Sequence, residues 1–134
     1  MHTIPPLPLT FADVLQQYHA NCPSLEGAVL ASSDGLLLNA WGNLPTAATA
    51  AVALHLGKAL NQCLALLREH NVTESLMWAP PVIWYWAQLE QQQVLLACCN
   101  NLDQAGALRL GGQLAVQQIL QLQLAAQAEE RPRR

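Results

Sequence analysis

The sequence predicts an α+β domain: one five-stranded antiparallel sheet sandwiched by helices, in the order α-β-β-α-β-β-β-α. Three observations carry this. Asp34-Gly35 separates two apolar runs, the signature of a tight β-hairpin. Thr46 to His70 is a long, proline-free segment rich in Ala and Leu with helical periodicity. Three further short apolar runs follow, split by Pro80-Pro81 and by Glu90-Gln91-Gln92. Strands joined by such short turns pair antiparallel, and the long helix between strands two and three has the length to cross a sheet face.

Residues 1–8 are a Pro-rich lead-in. Thr10 is placed to cap a helix, with Asp13 at the third helical position able to answer it in a capping box. Leu9, Ala12, Leu15 and Tyr18 follow helical spacing to about Ala20, and Asn21-Cys22-Pro23-Ser24 ends it. Leu25 to Ser33 reads as a strand and Leu36 to Trp41 as its partner. Asp34-Gly35 between them fits a two-residue type I′ turn, which needs positive φ at both central positions. Gly42 to Pro45 is a loop.

Placed at 100° steps, Thr46 to His70 sorts into two faces. Val52, Ala53, Leu56, Leu60, Cys63, Leu64 and Leu67 form the expected core face. The opposite face collects Ala47, Ala50, Ala51, Leu54, Lys58, Asn61 and Ala65, where a water-facing helix ordinarily carries several charges. Alanine is the best helix former, so an exposed Ala-rich face is one reading. Small side chains also let a second helix approach closely, and the general shortage of charge favours that reading.

Glu74 to Ala79, Val82 to Leu89 and Gln93 to Cys99 are the remaining strands. Proline cannot donate to a ladder, so Pro80-Pro81 belongs in a connection or at an edge. In the middle strand Trp84, Trp86 and Gln88 share one face, and Ile83, Tyr85 and Ala87 the other. Both faces are apolar, so both are expected to be covered. The aromatic stripe reads as core; a docking surface is the alternative. Leu102 to Ala128 is the closing helix, with Leu108, Ala115, Val116, Ile119 and Leu122 on one face and mostly glutamines opposite. Gly111-Gly112 weakens its interior by roughly 1 kcal/mol per glycine, so close packing or a bend is expected there. The last two turns are expected to reach past the domain. The domain itself is set at residues 9–128, followed by a charged tail, 129–134.

Composition narrows the function. The chain has 134 residues, 52% hydrophobic and only 11% charged, against roughly 25% charged in an ordinary soluble chain. Part of its surface is therefore expected to be covered by another chain. Residues 1–130 hold Lys58, Arg68 and Arg109 against nine acids, a net −6, so no basic face for nucleic acid can be built. Three arginines, Arg131, Arg133 and Arg134, end the chain as a solubilising tail. No apolar run reaches the roughly 18 residues of a membrane span, so no membrane insertion is expected. The first ten residues, with three prolines and no basic segment, are not expected to be a secretory signal.

The search for chemistry finds little. Phosphate-loop, dinucleotide, zinc-protease and nucleophile-elbow motifs are all missing, so any nucleotide chemistry belongs to a partner. His2, His19, His55 and His70 are scattered, and Cys22, Cys63, Cys98 and Cys99 lack metal-ligand spacing. The cysteines are expected to be small buried hydrophobes in a reducing compartment. No catalytic residue, metal or cofactor is assigned, and the protein is not expected to be an enzyme.

Leu25-Glu26-Gly27-Ala28-Val29-Leu30-Ala31-Ser32-Ser33-Asp34-Gly35-Leu36-Leu37-Leu38 resembles the opening hairpin of the Roadblock dynein light-chain family. The Ala-rich start of the next helix resembles it too. So does Asn100-Asn101-Leu102 through Leu108-Arg109, an asparagine-containing loop leading into a helix with an early arginine. The resemblance spans roughly residues 9–122. Pro80-Pro81, the Gln-rich closing helix and its basic tail depart from the pattern.

This resemblance implies that the long helix lies on one sheet face and the two terminal helices on the other. It implies dimers that pack their long helices and join their sheets through the third strand. It also implies a role shared by bacterial members, regulators or scaffolds of small Ras-like GTPases that act without an active site of their own. The expectation is thus a cytoplasmic homodimeric adaptor whose partner is a small GTPase. Its dimer surface is placed on Ala47, Ala50, Ala51, Leu54, Lys58 and Asn61, with Leu76 and Trp78 on the joining strand. The alternatives are a small-molecule sensor lined by Trp84, Tyr85 and Trp86, and a structural scaffold subunit with no GTPase.

Overall fold

The computed structural model describes residues 8–67, 72–89 and 93–130. Most of the lead-in, Arg68 and His70, the Glu90-Gln91-Gln92 turn and the terminal arginines lie outside the described residues. The elements run α1 (Phe11–Asn21), β1 (Leu25–Ala31), β2 (Leu37–Gly42), α2 (Thr46–Ala65), β3 (Glu74–Ala79), β4 (Val82–Gln88), β5 (Val94–Cys99) and α3 (Ala105–Glu130), the last entered through a single 3-10 turn, Leu102–Gln104. The order is the expected one. All neighbouring strands are antiparallel, and the sheet reads β2-β1-β5-β4-β3. That leaves β2 and β3 as its edges.

Thr10 caps α1: its Oγ1 accepts from Asp13 N at 3.1 Å, and Asp13 Oδ2 accepts from Thr10 N at 3.2 Å. The reciprocal pair satisfies donors that a helix start leaves open. β5 occupies the centre of the sheet and is buried along its whole length, because Val94-Leu95-Leu96-Ala97-Cys98-Cys99 offers no polar side chain to either face.

The two sheet faces hold separate cores. Ala28, Leu30, Ile83, Tyr85, Ala87, Leu95 and Ala97 pack under α1 and α3. Val29, Ala31, Trp86 and Leu96 pack under α2. The alternation along β4 therefore divides its rings as the period of two requires. The long helix covers one face and the terminal helices the other.

α3 lies unusually close to the sheet. Gly111 faces the Tyr18 ring, where an added Cβ would sit 3.0 Å away, and Gly112 sits directly against Tyr85. The glycine pair thus serves close packing. Tyr18 then donates from its hydroxyl to Leu108 O at 2.6 Å, tying α1 to α3. Past Gln123, residues 124–129 are all exposed, so the final turns do leave the sheet.

The hairpin differs from expectation in turn length. Ser32 N donates to Leu36 O and Gly35 N to Ser32 O, so the loop is Ser33-Asp34-Gly35, three residues with Gly35 at φ +81°. Ser32 Oγ also accepts from Leu36 N, which favours closure one residue wider than a two-residue turn. A three-residue loop ending in a left-handed glycine is the next commonest solution. A register shift at Leu30/Ala31 accompanies it. Pro80-Pro81 forms the β3–β4 turn through a cis peptide bond, as a connection.

The orientation of α2 also departs from expectation. Thr49, Ala50, Ala53 and Gly57 face the sheet, whereas Val52, Cys63 and Leu67 of the expected core face are exposed. The cause lies beneath the helix. Trp86 fills the space under α2, and a Cβ on Gly57 would sit 2.7 Å from its ring. Only the smallest side chains fit against so large a ring, so the helix turns its Ala/Gly stripe inward.

Candidate dimer face and partner surface

α2 rests on the sheet through Trp86, whose indole Nε1 donates to Ala53 O at 3.0 Å. Indole N–H groups need a partner when buried, and the helix backbone supplies it. With the Ala/Gly stripe inward, Ala47, Ala48, Ala51, Val52, His55, Lys58, Ala59, Gln62 and Cys63 point to solvent. Val52 is 55% exposed. Lys58 is the one Asp, Glu, Lys or Arg on this surface, over nearly five turns.

Beside this face runs an apolar groove of about 430 Å³. Pro45, Ala48, Val52 and Leu56 form its α2 wall, Met77 and Trp84 its sheet wall, and Leu96 its floor. Met77 and Trp84 are register partners on β3 and β4. The groove therefore opens between the outer side of α2 and the free edge of the sheet. Trp78, on the opposite sheet face of β3, is 57% exposed.

The edge strand is anchored at its start by Glu74. This carboxylate accepts from Arg109 Nε at 2.6 Å, Tyr85 OH at 2.8 Å and Gln113 Nε2 at 3.0 Å, and Arg109 Nη2 pairs with it at 2.6 Å. Burial alone would push the Glu74 carboxyl up. The hydrogen bonds from Gln113, Tyr85 and Arg109, with the Arg109 charge, outweigh burial and hold it below the usual carboxylate range. Burial, reinforced by the bond to Glu74, pushes the Tyr85 hydroxyl up, so it stays a donor. The end of α2 is tied in as well: Asn61 Oδ1 accepts from Val72 N at 3.0 Å.

Among the described residues, no group of three or more His, Cys, Asp or Glu side chains could hold a metal ion. Cys22, Cys98 and Cys99 are buried free thiols, as expected, but Cys63 is exposed. Burial, with the nearby Glu26 carboxylate, pushes Cys98 up to about 12. Burial likewise raises Cys22. Neither is an activated nucleophile. His19 stacks on Trp41 at 4.4 Å between ring centroids, and His55 is exposed on α2.

No protein-family model matches the sequence, and no curated protein matches it significantly. Solved structures match closely in shape. MglB of Myxococcus xanthus has a TM-score of 0.78 at 16% identity, over 86% of this chain and 95% of that one. An MglB with a tetrameric arrangement has a TM-score of 0.76 at 17% identity, over 90% and 96%. A Roadblock/LC7 domain from Streptomyces avermitilis has a TM-score of 0.75 at 17% identity, over 83% and 95%. The chain has the Roadblock/LC7 fold.

Within this Roadblock/LC7 fold, the residues singled out from sequence separate. Ala47, Ala51 and Lys58 lie exposed on α2. Leu54 is half-buried over the hairpin tip, where a Cβ on Gly35 would sit 3.2 Å from it. Asn61 is half-buried and engaged with Val72. Ala50 is 1% exposed and wedged with Val29 and Ala31, so it cannot meet another chain. On β3, Leu76 turns into the α1–α3 core and Trp78 shares its face. The β3 side chain bordering the groove is Met77, between them. Val52 and Met77 were legible only through the helix phase and the strand period, and the phase was concealed by alanines on both helix faces.

No helix among the described residues is long and apolar enough to cross a membrane.

Proposed function

We propose that this chain is a non-enzymatic, cytoplasmic homodimeric adaptor that binds a small Ras-like GTPase and modulates its nucleotide cycle or location. One observation carries the self-association: a nearly chargeless outer α2 surface, an apolar groove and an open β3 edge adjoin one another. Two copies related by a twofold axis can lay α2 against α2, fill both grooves and continue the sheet from β3 to β3. An exposed edge strand with a neighbouring apolar patch is a liability unless something covers it. A solved MglB described with a tetrameric arrangement supports self-association of this fold.

The GTPase role rests on the Roadblock resemblance and on a surface built for docking rather than for chemistry. The test is nucleotide hydrolysis and exchange by a co-encoded small GTPase, with and without this protein, together with their direct binding. Binding with altered turnover supports regulation. Binding without altered turnover supports localisation or scaffolding. An absence of binding, with turnover unchanged, rejects the GTPase role and leaves the structural scaffold.

The sensing alternative loses two of its three rings. Trp86 is 1% exposed and bonded to α2, and Tyr85 is 1% exposed and bonded to Glu74. Trp84 borders the apolar groove, which is the one a second copy would fill, while Trp86 and Tyr85 show only their edges to more polar grooves beside Lys58 and Glu74.

A further inference from the structure

α3 carries a second uncovered surface on the opposite side of the molecule. Leu108, Gly112, Ala115 and Ile119 face inward, and Gly111 meets α1. Pointing directly away from the sheet are Leu110, Leu114, Gln117, Gln121, Leu124 and Ala128, every one exposed. Leu110 is 66% exposed, Leu114 41% and Leu124 55%. A helix stripe facing water ordinarily carries charge, and this one has none.

Its spacing is that of a two-helix seam. From Leu110 the steps are four, three, four, three and four, the alternation that keeps one line of side chains facing a partner helix. The order of side chains is close to palindromic. Set antiparallel against a second copy, Leu114 meets Leu124, Gln117 meets Gln121, and Leu110 meets the small Ala128. Apolar layers meet apolar layers, and the amides, which can donate and accept, meet each other. A polar layer within a seam fixes register. An antiparallel pair also opposes the helix dipoles and keeps the two Glu129-Glu130 ends apart.

We propose that α3 is a self-association surface that joins two copies of this chain by an antiparallel helix pair. The contact lies across the sheet from α2, on the outer side of α3, so it adds to the proposed α2 dimer and does not depend on it. Where both contacts form, two dimers join. The seam runs about 27 Å along the helix at 1.5 Å per residue. One helix stripe falls short of the roughly 800 Å² per partner of a standard interface. The association is therefore weak and depends on concentration.

Sedimentation of the full chain between about 5 μM and about 500 μM, a range set for a micromolar contact, tests it. The expected result is at least a twofold rise in mass across the range, because each α2 dimer carries two α3 stripes. The double variant Leu114→Glu, Leu124→Glu alters only exposed positions with a good helix former, and it stays at its starting mass throughout. A flat mass for the unmodified chain, or doubling by the variant, overturns the proposal. If the starting species is one chain and still doubles, the α2 dimer has failed while the seam stands. Register is tested in a Cys63→Ser background: with diamide, Leu114→Cys cross-links to Leu124→Cys in a mixture, and neither does so alone. Cross-linking of either variant alone overturns the antiparallel arrangement.

Discussion

Replacing Glu74 removes the acceptor that holds the start of β3 to α3 and β4. In Glu74→Ala, the Tyr85 hydroxyl loses its 2.8 Å acceptor next to the core. An unsatisfied buried donor costs about 1–3 kcal/mol. Arg109 is half exposed, so losing its pair adds only about 0–1 kcal/mol after solvent screening. The expected destabilisation is the sum of the two, about 1–4 kcal/mol. For a domain of this size that lowers Tm by about 3–16 °C at fixed protein concentration. Glu74→Gln keeps an acceptor for Tyr85 and is expected to lose about half as much. Removing the hydroxyl as well, in Glu74→Ala with Tyr85→Phe, should cost less than the two single changes summed, because no orphaned donor remains. Thermal unfolding by circular dichroism measures all of these. A Tm change under about 2 °C for Glu74→Ala, or additive effects in the double variant, would refute the assignment of Glu74 as the anchor.

The same carboxylate gives the sign of a pH effect. Its folded pKa lies below its unfolded value, so its contribution is fully present above the ordinary carboxylate pKa and is lost as pH falls through the folded one. Urea midpoints for the unmodified chain should therefore drop more between about pH 5 and pH 3 than those of Glu74→Gln; parallel slopes would contradict this. Gly57→Val should destabilise by about 1–3 kcal/mol, since its Cβ alone would lie 2.7 Å from the Trp86 ring, and a red shift in tryptophan fluorescence should accompany it. A thiol reagent at neutral pH should modify at most Cys63 in the folded protein and the other three only on unfolding; rapid reaction of more than one thiol in the native protein would contradict their burial.

Local rules carried most of the fold from sequence. The Thr10–Asp13 capping box, the division of Trp84 and Trp86 from Ile83 and Tyr85, and the Pro80-Pro81 connection depend on neighbours in the chain, and each stands as expected. The α2 phase did not, because it depends on the surface below. A hydrophobic stripe places Val52 inside, but the Trp86 ring leaves room only for Ala53 and Gly57, and Ala50 packs on Val29 and Ala31. The hairpin tip shows the same limit: Asp34-Gly35 marks the turn, and the Ser32–Leu36 bonding sets its width. The Glu74 cluster draws on residues 74, 85, 109 and 113, joined only by tertiary structure, so no local pattern points to it. For the candidate dimer face, the sequence pattern mixed inward and outward residues of α2, as buried Ala50 shows, and passed over Met77, the β3 side chain that borders the groove.

The most direct test of the α2 dimer is the mass of the unmodified chain and of Ala51→Glu by light scattering at low micromolar concentration. Ala51 is exposed, and glutamate forms helix well, so the fold should be unaffected and only a contact between chains would bury the new charge. The expected masses are twice 14.6 kDa for the unmodified chain and 14.6 kDa for the variant. A single-chain mass for the unmodified protein, or an unchanged double mass for a folded Ala51→Glu, would contradict a dimer built on this face.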